Sequence, residues 1–247
     1  MFFRADPGTS WAGSIAACME YPHNRPYTAD DLVRIITLLR DPVNGCPWDK
    51  VQTHTSIRMN FLEEAYEAVD ALDLDDPVLM CEELGDVLMQ VAFHTCMEQE
   101  TGRFTWEQVC DGVCQKLIER HPNIFGTQPG YEGITDWDAL KNKEKGRRTL
   151  ADDLESVPRA MPALMRAAKL QKRAARHGAA LQGADAAALA DAAENLQTAQ
   201  PASAQAEQAV GELLFAAANL ARQAGVDPEQ ALQKANEAFC TAAGPVA

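Results

Sequence analysis

The segments FLEEAYEAVDAL (residues 61–72) and EELGDVLMQVAF (residues 82–93) decide the fold of this chain. Each has apolar residues three or four positions apart, which is the spacing of one face of an α-helix. Between them the stretch DLDDP ends the first helix, and Pro77 suits the first turn of the second. Because the connection is short, we expect the two helices to pack as an antiparallel hairpin.

The rest of the chain has further helical patterns and no strand pattern. A helix is predicted to begin at Thr28 and end before Pro42, and another to begin after Thr105 and end near Arg120. The segment PALMRAAKLQKRAARHG predicts one more helix, closed by Gly178. Aromatic residues make up only 6% of the chain, and no segment alternates apolar and polar residues between hairpin turns. The sequence therefore predicts an all-α fold.

Charge and hydropathy limit the partners of the chain. Its 247 residues have a formal net charge of −14, which would repel an extended nucleic acid. A single nucleotide is not excluded, because a bound divalent cation reverses the local charge. No run of residues approaches the roughly 18 apolar residues of a membrane span, so we expect no membrane partner.

The N-terminal residues 1–27 lack the continuous apolar stretch of a signal peptide, and we expect them to be a poorly ordered extension. The chain has seven cysteines and no CxxC pair, a composition typical of a reducing compartment. We therefore expect a cytoplasmic protein.

Five acidic residues form two short motifs on the predicted hairpin. The first helix has EExxE, with Glu63, Glu64 and Glu67, and the second has ExxD, with Glu83 and Asp86. Residues three or four positions apart share a helix face, so antiparallel packing can bring the two motifs together.

The alternative is that these are solvated surface acids, the usual state of glutamate on a helix. Two features argue against it. Like charges four positions apart destabilise a helix, and no lysine at a matching spacing relieves them. The acids also lie among apolar residues that we expect to form much of the core, namely Phe61, Leu62, Tyr66, Val69, Leu84, Val87 and Leu88.

If the carboxylates converge, their chemistry selects the ion. A site with only oxygen ligands and several negative charges suits Mg²⁺, Mn²⁺ or Ca²⁺. A di-iron bundle would need Glu-x-x-His on two helices, whereas here Glu67 and Asp86 stand where histidine would be. Since Mg²⁺ binds phosphates, a phosphate ester is the natural substrate.

Several motifs closely resemble one known family. They are LLRDPVNGCPWDKVQTH, FLEEAYEAVDAL, EELGDVLMQVAFH, GRF, KLIERHPNIF and WDALKNKEK, all within residues 28–150. Together they resemble the MazG family of nucleoside triphosphate pyrophosphohydrolases. A weaker match continues through PRAMPALMRAAKLQKRA and GELLFAAANLARQAG, which resemble the second copy in two-domain members. The resemblance implies an all-α, usually dimeric protein that binds Mg²⁺ through its EExxE and ExxD acids.

Carried over residue by residue, the resemblance implies four metal ligands: Glu64, Glu67, Glu83 and Asp86. Glu63 lies beside them and is our candidate for the general base, although another acid of the set without a metal could serve.

The resemblance also implies substrate contacts outside the acids. Lys116 and Arg120 match phosphate-binding positions, with two surface cations as the equally weighted alternative. The common RRHP pattern here has Glu119 in place of its first arginine, which weakens this assignment. Candidates for base stacking and phosphate contact are Trp137, Lys141 and Lys145.

A faint internal repeat suggests that the chain contains two related units. Residues 82–93 resemble residues 207–219, and residues 107–117 resemble residues 229–239. The second copy has Ala209 and Glu212 where the first has Glu83 and Asp86, and Ala238 and Ala242 where it has Lys116 and Arg120. Upstream it offers only Asp191 and Glu194, within a low-complexity stretch that we expect to be loosely packed.

These observations predict an extension over residues 1–27, a catalytic MazG-like domain over residues 28–150, and a degenerate, truncated second unit over residues 151–247. The predicted function is Mg²⁺-dependent hydrolysis of nucleoside triphosphates to monophosphate and pyrophosphate, with a homodimer implied by the resemblance. The alternative is a non-catalytic nucleotide-binding or protein-interaction module on the same helical scaffold.

Overall fold

A computed structural model describes residues 20–23, 25–122, 124–126 and 144–244 of the chain. In these residues the regular structure is α-helical apart from one short 3-10 helix, and there is no strand. The all-α prediction is therefore confirmed. Two compact units divide the chain, Met1–Gly133 and Ile134–Ala247. The predicted extension over residues 1–27 lies mostly outside the described residues.

Local sequence signals set the ends of the helices in the first unit. Thr28, Thr53 and Thr105 each form a capping box, and the Asp76 carboxylate accepts two backbone N–H groups at the start of the third helix. The predicted helix ends are confirmed to within two residues. The elements are α1 (Ala29–Leu39), a 3-10 helix (Asp49–Val51), α2 (His54–Asp73), α3 (Pro77–Glu100) and α4 (Trp106–Arg120).

Helix α3 is the centre of the first unit, because α1, α2 and α4 all pack against it. Only three residues separate α2 from α3, and Asp75 turns the chain there with φ of 53°. The two helices therefore form the expected antiparallel hairpin. The buried core lies toward the C-terminal half of α3, where it consists of Ile36, Ile57, Ala92, Phe93, Cys96, Met97 and Trp106.

The loop between α1 and α2 is held by one buried arginine. Arg40 donates to both carboxylate oxygens of Glu100, at 2.5 and 2.7 Å, and to the backbone carbonyls of Asp49 and Gln52. These bonds satisfy the guanidinium inside the fold and fix where α2 begins.

The expectation that the apolar neighbours of the acids form much of the core is wrong for four residues. Tyr66 and Val69 on α2 and Leu84 and Leu88 on α3 are exposed, with Tyr66 at 53% and Leu84 at 51%. At 100° per residue these side chains lie on the opposite side of each helix from Glu64 and Asp86. The acids thus face the inside of the hairpin and part of the apolar set faces out.

The second unit has its own central helix, α8 (Ala204–Gln223). Three other helices pack against it, α6 (Ala163–Arg176), α7 (Ala186–Thr198) and α9 (Pro228–Ala243). The alanine-rich stretch expected to be loosely packed forms α7 and lies along α8, so that expectation is wrong. Alanine favours helices and allows close approach, and Ala184, Ala192 and Ala216 are fully buried. The unit also contains the short helix α5 (Leu150–Glu155).

The origin of this unit as a degenerate copy stays a prediction, as does the domain boundary at residue 150. No helix in the described part of the chain has both the length and the apolarity needed to cross a bilayer.

Candidate metal centre

Three carboxylates from the two facing helices of the hairpin converge. One oxygen each of Glu64 on α2 and of Glu83 and Asp86 on α3 lie within 4.8 Å of one another. All three side chains are half-buried. The spacing of three between Glu83 and Asp86 places both on one face of α3, and the antiparallel pairing brings Glu64 opposite them.

The electrostatics of this cluster disfavour ionisation in the absence of a cation. Burial raises the pKa of Glu64 above its ordinary value, and the charges of Asp86 and Glu67 raise it further. Burial likewise raises the pKa of Glu83, again with added repulsion from Glu67 and Asp86. Positive charge at this point would therefore stabilise the folded protein.

Two polar atoms at the cluster lack partners within the protein. Oxygen Oε2 of Glu83 is buried without a hydrogen bond, and so is Oε1 of the buried Gln90 amide. The Gln90 amide nitrogen lies 3.5 Å from Oε1 of Glu64, at the limit of a hydrogen bond. Sequence reasoning missed Gln90, although its position four residues after Asp86 puts it on the same helix face.

The residues present fit a hard divalent cation. The donors are carboxylate oxygens, their mutual repulsion needs compensation, and the unpartnered oxygen of Glu83 is available as a ligand. Cysteine and histidine are absent from the converging set, so a soft metal has no preferred donor there.

The other residues predicted for the site do not belong to the converging set of carboxylates. Glu67 is half-buried and close enough to influence both Glu64 and Glu83, but it does not belong to the converging set. Glu63 is exposed beside Glu64. On α4, Lys116 is exposed and Arg120 is half-buried.

Three further candidates lie beyond the first unit. Lys145 is exposed and belongs to the second unit. Trp137 and Lys141 lie outside the described residues.

A second polar group, also missed by sequence reasoning, joins the beginning of α2 to α3. Nδ1 of His54 lies 2.7 Å from Nδ1 of His94, with the two rings stacked. Nε2 of His54 lies 2.6 Å from Oε1 of the buried Glu98, an ion-pair distance without hydrogen-bond alignment. Burial, followed by the nearby His54, lowers the pKa of His94. This group lies about 15 Å along α2 from Glu64, so it stabilises the hairpin outside the metal centre.

The second unit has no comparable cluster among its described residues. Ala209 is buried where the alignment places the counterpart of Glu83, and Glu212 is exposed and accepts a hydrogen bond from Gln208 at 2.8 Å. Asp191 and Glu194 on α7 are both exposed.

Known proteins match the region that contains the three carboxylates. The MazG nucleotide pyrophosphohydrolase domain matches residues 52–125. A nucleoside triphosphate pyrophosphohydrolase of Escherichia coli K12 is 41% identical over 219 residues, which is 85% of this chain and 83% of that protein. The chain belongs to the MazG family.

Other relatives of this chain have the same name or a name that includes the family name MazG. The nucleoside triphosphate pyrophosphohydrolase/pyrophosphatase MazG of Thermotoga maritima is 39% identical over 85% of this chain and 82% of its own length. A nucleoside triphosphate pyrophosphohydrolase of Mycobacterium tuberculosis is 35% identical over 60% of this chain and 46% of its own. The resemblance that the motifs predict is thus confirmed.

Proposed function

We propose that the first unit hydrolyses nucleoside triphosphates to nucleoside monophosphate and pyrophosphate and depends on Mg²⁺, with Mn²⁺ as a possible substitute. The observation that supports this most directly is the convergence of Glu64, Glu83 and Asp86 from two helices of the matched MazG region. The names of the E. coli and T. maritima relatives support the substrate class.

The acids have distinct roles in this proposal. Glu64, Glu83 and Asp86 hold the cation, and the nearby Glu67 completes the ligand set. Gln90 orients Glu64 through its amide, whose nitrogen lies 3.5 Å from Oε1 of that carboxylate. A bound divalent cation supplies the positive charge that neutralises the triphosphate and makes a water molecule more acidic.

The reaction itself is a displacement at the α-phosphorus. A water oxygen forms a new bond to that phosphorus as the bond to the oxygen bridging to the β-phosphorus breaks, and pyrophosphate leaves with the bonding electrons. Glu63 takes the proton from the water as general base. Its exposed position beside Glu64 leaves it free of the converging set and open to solvent.

The cations have the role of binding substrate. Lys116 and Arg120, one helical turn apart on α4, contact phosphate oxygens, while Trp137, Lys141 and Lys145 stack on the base and bind phosphate. Lys116 forms no ion pair with the acids in the described part of the chain, so its charge remains available to a phosphate.

The products should identify the site of attack. A nucleoside triphosphate partly digested with Mg²⁺ should yield monophosphate and pyrophosphate in equal amounts, as measured by ion-exchange chromatography. Attack at the γ-phosphorus would instead yield diphosphate and inorganic phosphate. Diphosphate as the main product would contradict the mechanism, and nucleotide binding without turnover would favour the non-catalytic module.

We also propose that the protein is a homodimer in which a second copy covers the outer face of the hairpin. Tyr66, Val69, Leu84 and Leu88 leave apolar side chains exposed on both of its helices. Large apolar side chains exposed on two packed helices favour a protein–protein interface.

Replacing Val69 by aspartate should convert the dimer to a monomer, because burying an unpaired carboxylate in an apolar interface is unfavourable. Light scattering coupled to gel filtration measures the mass. Val51→Asp is the matched control, since Val51 is also exposed but lies on the 3-10 helix. A monomeric wild-type protein, or equal dissociation of both variants, would contradict this arrangement.

A further inference from the structure

A basic cavity of about 630 Å³ lies within the second unit, between α6 and the turn from α8 to α9. Its basic lining consists of Lys169, Lys172, Arg173 and Arg222, and Asp227 is its one carboxylate. Lys172 and Arg173 follow Lys169 by three and four positions, so both lie on the same side of α6 as Lys169. Arg222 comes from the last turn of α8.

Three of these four positive charges have no acidic partner in the described part of the chain, and only Arg173 is paired with a carboxylate there. No acidic side chain in the described residues lies within ion-pair distance of Lys169, Lys172 or Arg222. Arg222 uses only its Nε group, which donates to Asn219 at 2.9 Å. Asp227 is the N-cap of α9, where its carboxylate accepts hydrogen bonds from two backbone N–H groups. Its negative charge therefore interacts with the start of α9 and not with the cations of the cavity.

The buried floor of this basic cavity also has an unused donor. Arg173 is only 7% exposed and pairs with the buried Asp153 through Nη1. Its Nε group is buried without a hydrogen-bond partner. Arg173 therefore adds positive charge beneath the cavity, while its Nε group is itself covered by protein.

In the first unit, acidic residues at the end of the central helix neutralise nearby arginines. Its central helix α3 ends with Glu98 and Glu100, which pair with Arg103 and Arg40 respectively.

In the alignment that pairs Glu83 with Ala209 and Asp86 with Glu212, Ala224 and Val226 occupy the positions of the two glutamates. The second unit therefore offers no glutamate at these positions to neutralise the cations of the basic cavity.

We propose that this basic cavity binds a polyphosphate group, supplied either by inorganic pyrophosphate or by a nucleotide. Several cations around a concave surface are suited to an anion with more than one charge. Met161, Met165 and Val226 add apolar surface beside the cations, which could contact the nucleoside of a nucleotide. The inference does not depend on the activity proposed for the first unit.

Isothermal titration of the full-length protein in EDTA tests this inference, with inorganic pyrophosphate and ATP as separate probes. Without metal, the acidic cluster of the first unit repels both anions. We expect saturable binding that weakens as salt is added. Lys169→Gln and Lys172→Gln should each weaken binding by roughly tenfold through loss of a charge-assisted contact. Lys234→Gln, an exposed lysine on α9 outside the cavity, is the matched control.

Thermal unfolding verifies that each variant is folded, which we expect because the replaced lysines are exposed. Similar affinity for the two probes would identify the polyphosphate as the whole ligand, and tighter binding of ATP would add a nucleoside contact. Absence of binding at millimolar probe, or an equal loss in Lys172→Gln and Lys234→Gln, would overturn the inference.

Discussion

Replacing Glu83 by glutamine should lower pyrophosphate release by roughly two to three orders of magnitude, because a divalent cation supplies several kcal/mol of transition-state stabilisation. The carboxylate of Glu83 converges with Glu64 and Asp86 and has one oxygen without a protein partner. Glutamine keeps the size and the helix propensity of the side chain and removes only the charge. Steady-state assays with Mg²⁺ measure the effect, and circular dichroism verifies the helical fold.

The neighbouring Glu82 offers a matched control. It is exposed one residue earlier on α3 and lies outside the converging set, so Glu82→Gln makes the same charge change away from the ligands. Turnover of Glu82→Gln should stay within about twofold of wild type, since surface substitutions away from a site have small effects. Near wild-type turnover in Glu83→Gln, or the same loss in both variants, would contradict the metal site.

Replacing Glu83 by glutamine should stabilise the metal-free folded protein, although it lowers the activity. The raised pKa values of Glu64 and Glu83 mean that the folded protein binds protons more readily than the unfolded chain. The acidic cluster should therefore contribute more to the stability of the metal-free wild-type protein as pH falls from neutral toward the ordinary glutamate range, and Glu83→Gln should reduce this pH dependence. Glu83→Gln should raise the Tm of the metal-free protein at neutral pH, and added Mg²⁺ should raise the Tm of wild type more than that of the variant.

The helices could be predicted from sequence because their ends are decided locally. Thr28, Thr105 and Asp76 cap helices through side chains two or three residues from the groups they bind. Which helix faces are buried depends instead on where other helices pack. Leu84 and Tyr66 are apolar and yet exposed, because α1 and α4 pack elsewhere on α3 and the inner face of the hairpin is acidic.

The candidate site also combines residues that local spacing predicts with residues that only the packing of helices brings together. Glu83 and Asp86 could be paired from their spacing on one helix, and Glu64 could be added because the connection between α2 and α3 is short. Gln90 could not be selected, since an amide on an apolar helix face has no distinctive pattern until the structure shows it beside Glu64. The basic cavity could not be predicted from the sequence either, because Lys172 and Arg222 are 50 residues apart and line one cavity only through the packing of α6 on α8.

A comparison of equivalent acids in the two units should locate the activity. Asp86→Asn should reduce turnover by about two orders of magnitude or more, whereas Glu212→Gln should leave it unchanged. Both substitutions remove one negative charge from a central helix and differ only in the surroundings of that charge. Asp86 lies within 4.8 Å of two other carboxylates, while Glu212 is exposed and bonded to Gln208.

The second unit lacks what a triphosphate–metal complex requires. A cation needs several anionic ligands, and phosphate charges need compensating partners when they leave water. Ala209 presents a methyl group in the buried position of a ligand, and Asp191, Glu194 and Glu212 do not form a converging set of three carboxylates in the described structure. Specific activities of the two full-length variants, measured at equal concentration with the same nucleoside triphosphate, decide the question. An inactive Glu212→Gln beside an active Asp86→Asn would move the active site to the second unit.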